Sequence, residues 1–112
     1  SYMAILANLF IDQGTDFSIT VDVTDSNGEI LNMSGYSSAG QIRKTYESST
    51  VSATFTTSIS AAAGQVTLSL NDTVTSALGA GRYVYDLNVT SSGGVTTRVV
   101  EGQAIVTPGV TR

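Results

Sequence analysis

Cysteine, histidine and tryptophan are all absent from the 112 residues, and proline occurs once. Without cysteine there is no disulfide framework and no thiolate metal site. Without histidine the chain lacks the commonest general base at neutral pH and the commonest nitrogen ligand for zinc, copper or non-haem iron. Charge is scarce too: Asp, Glu, Lys and Arg make up 12% of the chain, against about 25% in an ordinary soluble domain. The net charge is -4, and among the cations Arg43, Lys44, Arg82, Arg98 and Arg112 only the first two are adjacent. That leaves no basic footprint for a nucleic acid. The apolar opening from Tyr2 to Ala7 has no basic flank and meets Asn8 and Asp12 too soon for a membrane span, so neither a signal peptide nor a membrane helix is expected.

Hydroxyl side chains fill the place of charge, with 15 Ser and 16 Thr. Charge depletion marks the cores of protein interfaces, which suits a surface that packs against copies or partners. A Thr-rich sandwich explains the same composition equally well, because Thr favours strands.

The strongest pattern along the chain is alternation with period two, which sends successive side chains to opposite faces of a strand. Phe17, Ile19, Val21 and Val23 fall on one face, opposite Ser18, Thr20, Asp22 and Thr24. Asn27-Gly28 supplies the two positive-φ positions of a tight hairpin, returning the chain through Ile30 and Leu31. Further strands are expected from Leu9 to Ile11, from Ala39 to Thr45, along Ala53, Phe55, Thr57 and Ile59, along Val66, Leu68 and Leu70, and along Tyr83, Tyr85, Leu87 and Val89. After Ser91-Ser92-Gly93-Gly94 a last strand starts at Val95, and Gly102 marks a bulge or bend where the parity slips before Ile105 and Val106. At Asn71 the period changes: Asn71 or Asp72 caps a short helical turn near residues 72–78, with Val74 and Leu78 facing the core. The cadence gives an all-β, immunoglobulin-like antiparallel β-sandwich of about seven or eight strands. It forms one domain over residues 1–112, with 1–8 as an N-terminal arm.

Candidate chemistry is thin. Asp12 and Asp16 flank Gln13-Gly14-Thr15 as a carboxylate pair, but a glycosidase site also needs a cleft with sugar-stacking aromatics, so a solvated turn is the better reading. The acidic stretch from Asp22 to Glu29 lacks the helix-flanked ligand pattern of a calcium loop and reads as a hairpin. The glycosylation acceptor pattern at Asn32, Asn71 and Asn88 is what chance provides in so Ser- and Thr-rich a chain. No catalytic residue, metal or cofactor is expected. Tyr83, entering a strand after Gly79-Ala80-Gly81, is a candidate for a tyrosine corner, in which a phenol bonds back to upstream backbone. Tyr85 is then a core aromatic where antibody domains place a cysteine; ordinary core packing of both rings is the simpler alternative.

Five segments carry a family likeness: Asn8-Leu9-Phe10-Ile11-Asp12-Gln13-Gly14-Thr15-Asp16-Phe17, Leu31-Asn32-Met33-Ser34-Gly35-Tyr36, Gln41-Ile42-Arg43-Lys44, Ala80-Gly81-Arg82-Tyr83-Val84-Tyr85-Asp86-Leu87, and the run from Arg98 to Pro108. Together they resemble small structural proteins and modules of tailed bacteriophages, cyanophages above all, including modules at the N-termini of baseplate and receptor-binding proteins. The resemblance implies a virion component of immunoglobulin-like fold, present in many symmetric copies, without catalytic activity, and partnered by itself and other virion proteins. Because the sequence stops at Arg112 with no trailing domain, a capsid decoration protein or a small tail or baseplate component is expected. The apolar residues Tyr2, Ile5, Leu6 and Phe10 are the expected contact, unless that arm simply pairs within the sandwich. The competing expectation is a carbohydrate-binding or adhesin module, for which Tyr36 and Tyr46 are the available aromatics.

Overall fold

A computed structural model describes residues 5–111. The chain is mostly β, in two sheets that share one core. In chain order the strands are β1 (Ile5–Leu6), β2 (Leu9–Asp12), β3 (Phe17–Asp22), β4 (Ser37–Arg43), β5 (Ala53–Thr54), β6 (Thr56–Ser60), β7 (Gln65–Leu70), β8 (Gly81–Thr90) and β9 (Thr96–Thr107), with helix α1 (Asp72–Ala77) between β7 and β8. The larger sheet runs β1-β9-β8-β4-β5, with β2 also on β9, and the smaller runs β3-β7-β6. Both β1 and β2 lie parallel to β9; every other pairing between named strands is antiparallel.

Alternation places the core. Val66, Leu68 and Leu70 of β7 face Tyr83, Tyr85, Leu87 and Val89 of β8, joined by Leu9, Ile11, Ile42, Val99, Val100, Ala104 and Val106, all buried. Each buried Val, Leu or Ile among them contributes about 1.5–3 kcal/mol by leaving water. Phe55 sits at the seam between the sheets, its ring 6.1 Å from Tyr85 in an edge-on arrangement and 6.4 Å from Phe17.

Several expectations shift. The strand expected through Ala53, Phe55, Thr57 and Ile59 is two strands in different sheets: Phe55 N–H donates to Gly40 O at 2.9 Å, and beyond it the chain crosses to β7. Parity cannot reveal this crossing, because inward residues stay inward on both sides of it. The fourth strand begins two residues earlier than its pattern suggests and ends at Arg43, whose guanidinium bonds Ser48 O of the following loop at 2.9 Å and Gln41 Oε1 of its own strand at 3.0 Å. At the first hairpin only Gly28 has positive φ. Asp25 N–H donates to Glu29 O, Gly28 N–H to Asp25 O, and the Asp25 carboxylate takes the N–H groups of Asn27 and Glu29. The turn therefore carries one more residue than a two-residue Asn-Gly turn, and the Asp25 side chain supplies the acceptor that fixes it.

Gly102 is not a bulge. It pairs in register with Tyr85, while the irregularity lies upstream, where Leu87 pairs with Val100 and Asn88 with Arg98. Val99, the extra residue, is buried beside Val100, and this accounts for the slip in parity.

Helix α1 forms as its cap signals: the Asn71 side chain accepts from Val74 N–H at 2.9 Å. Leu78 is buried and Val74 partly so, but the fully buried residue is Thr75. Its hydroxyl donates to Thr15 O at 2.7 Å and accepts from Gly14 N–H at 3.1 Å, tying the helix to the turn between β2 and β3.

Candidate functional site

The first two strands form one margin of the larger sheet. Pairing with β9 buries Leu9 and Ile11 but turns Phe10 outward, 67% exposed, and leaves Leu6 77% and Ile5 47% exposed. Three of the four residues expected in the contact arm are thus apolar and open to solvent, on a segment that also pairs within the fold; Tyr2 lies outside the described residues.

A latch holds this segment in place. Between β1 and β2 the chain is pinned at Ala7, whose N–H donates to Glu101 O at 2.9 Å and whose carbonyl accepts from the Tyr85 phenol at 2.6 Å. The next residue, Asn8, uses its side-chain oxygen to accept from Gln103 N–H at 3.1 Å. Directly beneath runs Gly102, where a Cβ would collide with the Ala7 carbonyl. The absent side chain of Gly102 is what lets the carbonyl sink to the Tyr85 hydroxyl.

Burial pushes the Tyr85 phenol up from 10.0 to about 12, with the nearby Tyr46 adding to the shift. An unfolded phenol releases its proton near pH 10 whereas the folded one keeps it to about pH 12. Stability from this group is therefore complete below pH 10 and is lost as the pH rises to 12. Tyr85→Phe should be less stable at neutral pH by about 1–2 kcal/mol, because the Ala7 carbonyl loses its donor. Across the alkaline window its stability should fall less steeply than wild type, as urea denaturation at a series of pH values would show.

Tyr83 lies one inward position before Tyr85. Its hydroxyl donates to Gly79 O at 2.8 Å, four residues upstream, and Lys44 Nζ sits 4.3 Å from its ring centroid. Both phenols are therefore fixed to backbone carbonyls, one closing the α1–β8 corner and the other holding the N-terminal strands.

Most of the carboxylates are occupied rather than gathered. Asp12 accepts from the Thr107 hydroxyl at 2.8 Å, and Asp16 accepts from Asp72 N–H at 2.8 Å at the start of α1. Asp22 bonds Gln65 Nε2 at 2.9 Å, and Asp86 and Glu101 share Arg98 at 3.2 and 3.8 Å. Among the described residues no three Asp or Glu side chains gather as a metal cluster would require. The acceptor asparagines have local partners or burial as well: Asn71 caps α1, Asn32 accepts from Ser34, and Asn88 lies in β8 with its Oδ1 buried.

The faces differ sharply in chemistry. On the smaller sheet the outward residues stand in register rows: Ser18, Ser69 and Thr56; Thr20, Thr67 and Ser58; Asp22, Gln65 and Ser60. No apolar side chain and no cation interrupts them, and Thr20 and Thr67 bond through their hydroxyls at 3.0 Å. The outward face of the larger sheet holds Arg82, Arg98 and Arg43 with Asp86 and Glu101, and a shallow hollow lined by Gln41, Arg43, Tyr46, Asp86 and Arg98. Tyr46 is 59% exposed at that hollow, whereas Tyr36 is partly buried against the core.

The arrangement presents three distinct surfaces: an apolar margin, a hydroxyl face and a mixed-charge face. Sequence reasoning missed Thr75 and Met33 as core residues, the first because its hydroxyl reads as polar. It also missed Asn8 and Gly102 as halves of one latch, since nothing in either residue alone signals a partner so far along the chain. Neither the protein-family models nor the curated proteins compared with this chain match it.

Proposed function

We propose that this chain is a non-enzymatic structural protein of a tailed-phage virion. It assembles in many copies as a capsid decoration or a small tail or baseplate component, on an immunoglobulin-like sandwich. The observation that carries the assembly reading is the pair Leu6 and Phe10, both strongly exposed on strands that the Tyr85–Ala7 bond locks to the sheet. An apolar side chain held outward on a rigid strand loses little entropy when a partner covers it, which favours a contact surface. The hydroxyl face adds a surface with little charge to desolvate on contact. The virion assignment itself rests on the segments that resemble phage proteins. Support for the immunoglobulin-like part comes from the Tyr83–Gly79 bond at the entry to β8 and from the separation of β3-β7-β6 from the β9-β8-β4 sheet.

The alternative, an adhesin or carbohydrate-binding module, draws its support from Tyr46 beside Gln41, Arg43 and Asp86. Light scattering on the purified chain separates the two. The assembly reading expects a stable trimer or larger ring, weakened by Phe10→Ser or Leu6→Ser. A monomer that is retained on a glycan array through Tyr46 would overturn it.

A further inference from the structure

The smaller sheet has two margins, and they are treated differently. At the β6 margin the Ser38 hydroxyl donates to Thr57 Oγ1 at 2.8 Å and Phe55 N–H to Gly40 O at 2.9 Å, so side-chain and backbone bonds close that flank onto the larger sheet. At the other margin no strand among the described residues pairs with β3 beyond β7. Even the return from the first hairpin lies on the β7 side: Val23 sends its N–H to Gly64 O at 2.7 Å and its carbonyl to Leu31 N–H at 3.1 Å, and Gly64 and Leu31 are neighbours. Backbone groups alternate in direction along a strand, so those of Ser18, Thr20 and Asp22 point away from β7.

Natural edges are normally guarded by lysine, proline, a bulge or an inward charge. The third strand, Phe17-Ser18-Ile19-Thr20-Val21-Asp22, has none of these, and no Lys or Arg precedes Arg43 anywhere in the sequence. Its inward residues are also incompletely covered. Phe17, Ile19 and Val21 are only partly buried, while the β7 residues opposite them, Leu70, Leu68 and Val66, are fully so.

From this margin we infer that two copies of the chain join β3 to β3, antiparallel about a two-fold axis, with Thr20 opposite Thr20 of the second copy. The occupant is a second copy because the strand is complementary to itself in that register. Asp22 falls opposite Ser18, Val21 opposite Ile19 and Phe17 opposite Val23, so apolar meets apolar and no carboxylate faces another. The neighbouring register, centred on Ile19, sets Asp22 against Asp16 and is disfavoured by like charge. The outward backbone groups of Ser18, Thr20 and Asp22 become the ladder, and the hydroxyl face continues across six strands. The inference rests on the self-assembling reading above and adds to it a two-fold contact separate from the one at Leu6 and Phe10.

With no native cysteine, single-cysteine variants report the register cleanly. Opposed Thr20→Cys residues would lie about 5.5 Å apart at Cα, inside the roughly 4.4–6.8 Å that a disulfide spans. Ser18→Cys residues would sit about 14 Å apart. Under mild oxidation Thr20→Cys should give at least tenfold more covalent dimer than Ser18→Cys or the central-strand control Thr67→Cys. Thr20→Lys, an outward change on an exposed position, should raise the dimer dissociation constant at least tenfold with the circular dichroism spectrum unchanged. Equal cross-linking at Thr20 and Ser18 would overturn the inference. So would a wild-type oligomer that leaves Thr20→Cys uncrosslinked, with self-assembly left standing. A wild type monomeric at all accessible concentrations would overturn both.

Discussion

Gly102→Ala should lower the folding stability by about 3 kcal/mol, combining overpacking with the loss of one buried hydrogen bond. The new Cβ would fall on the Ala7 carbonyl, whose carbon lies 2.8 Å from it, with Asn8 Oδ1 at 3.2 Å. The nearest obstacle is main chain, so a side-chain rotation cannot relieve the clash. The N-terminal strands must lift from β9, parting the Tyr85 hydroxyl from Ala7 O and Asn8 from Gln103 N–H. Urea denaturation should show a lower midpoint with an unchanged slope, the mark of lost stability without a change in the unfolded state. A change below about 0.5 kcal/mol, the scatter of ordinary surface substitutions, would mean that the latch is not under steric control.

Gly64→Ala should cost a similar amount for a different reason. Gly64 has φ +64 and lies where three segments converge: its Cβ would strike the Ile30 side chain, with Leu31 O at 2.9 Å and Val23 O at 3.2 Å. The left-handed backbone alone costs an L-residue about 1–2 kcal/mol, and crowding the two carbonyls adds about 1–2 kcal/mol more. Gly28 provides the internal comparison, since its φ is +81 but nothing lies within 4 Å of its Cβ position. Gly28→Ala should therefore show the backbone cost by itself. If the two variants lose equal stability by thermal or urea denaturation, the crowding at Gly64 is relieved by movement and contributes nothing.

What could be read in advance follows the range of the forces involved. Period-two alternation is a local consequence of backbone geometry, so β3, β7 and β8 and their inward residues were legible from Phe17, Leu68 or Tyr85 and their neighbours. The α1 cap at Asn71 was legible for the same reason: donor and acceptor sit three residues apart. The partition of strands between sheets was not, because Phe55 keeps its parity while its backbone turns from Gly40 toward β7. Nor was the latch, whose parts come from residues 7, 8, 85 and 102. As for the candidate surfaces, the exposed apolar residues of the N-terminal segment could be picked out one by one. The bareness of the β3 margin could not, since it depends on β2 joining the opposite sheet.

The parallel pairing of β2 with β9 has a mechanical consequence. Leu9 to Asp12 lie alongside Ala104 to Thr107, with the chain running in the same direction in both. Tension applied between the two ends of the domain would slide these strands past each other along their length. The interstrand bonds would then be loaded together rather than opened one at a time from an end. Resistance to pulling would be set by that short ladder and by the Tyr85 anchor beside it, and not by the overall free energy of folding.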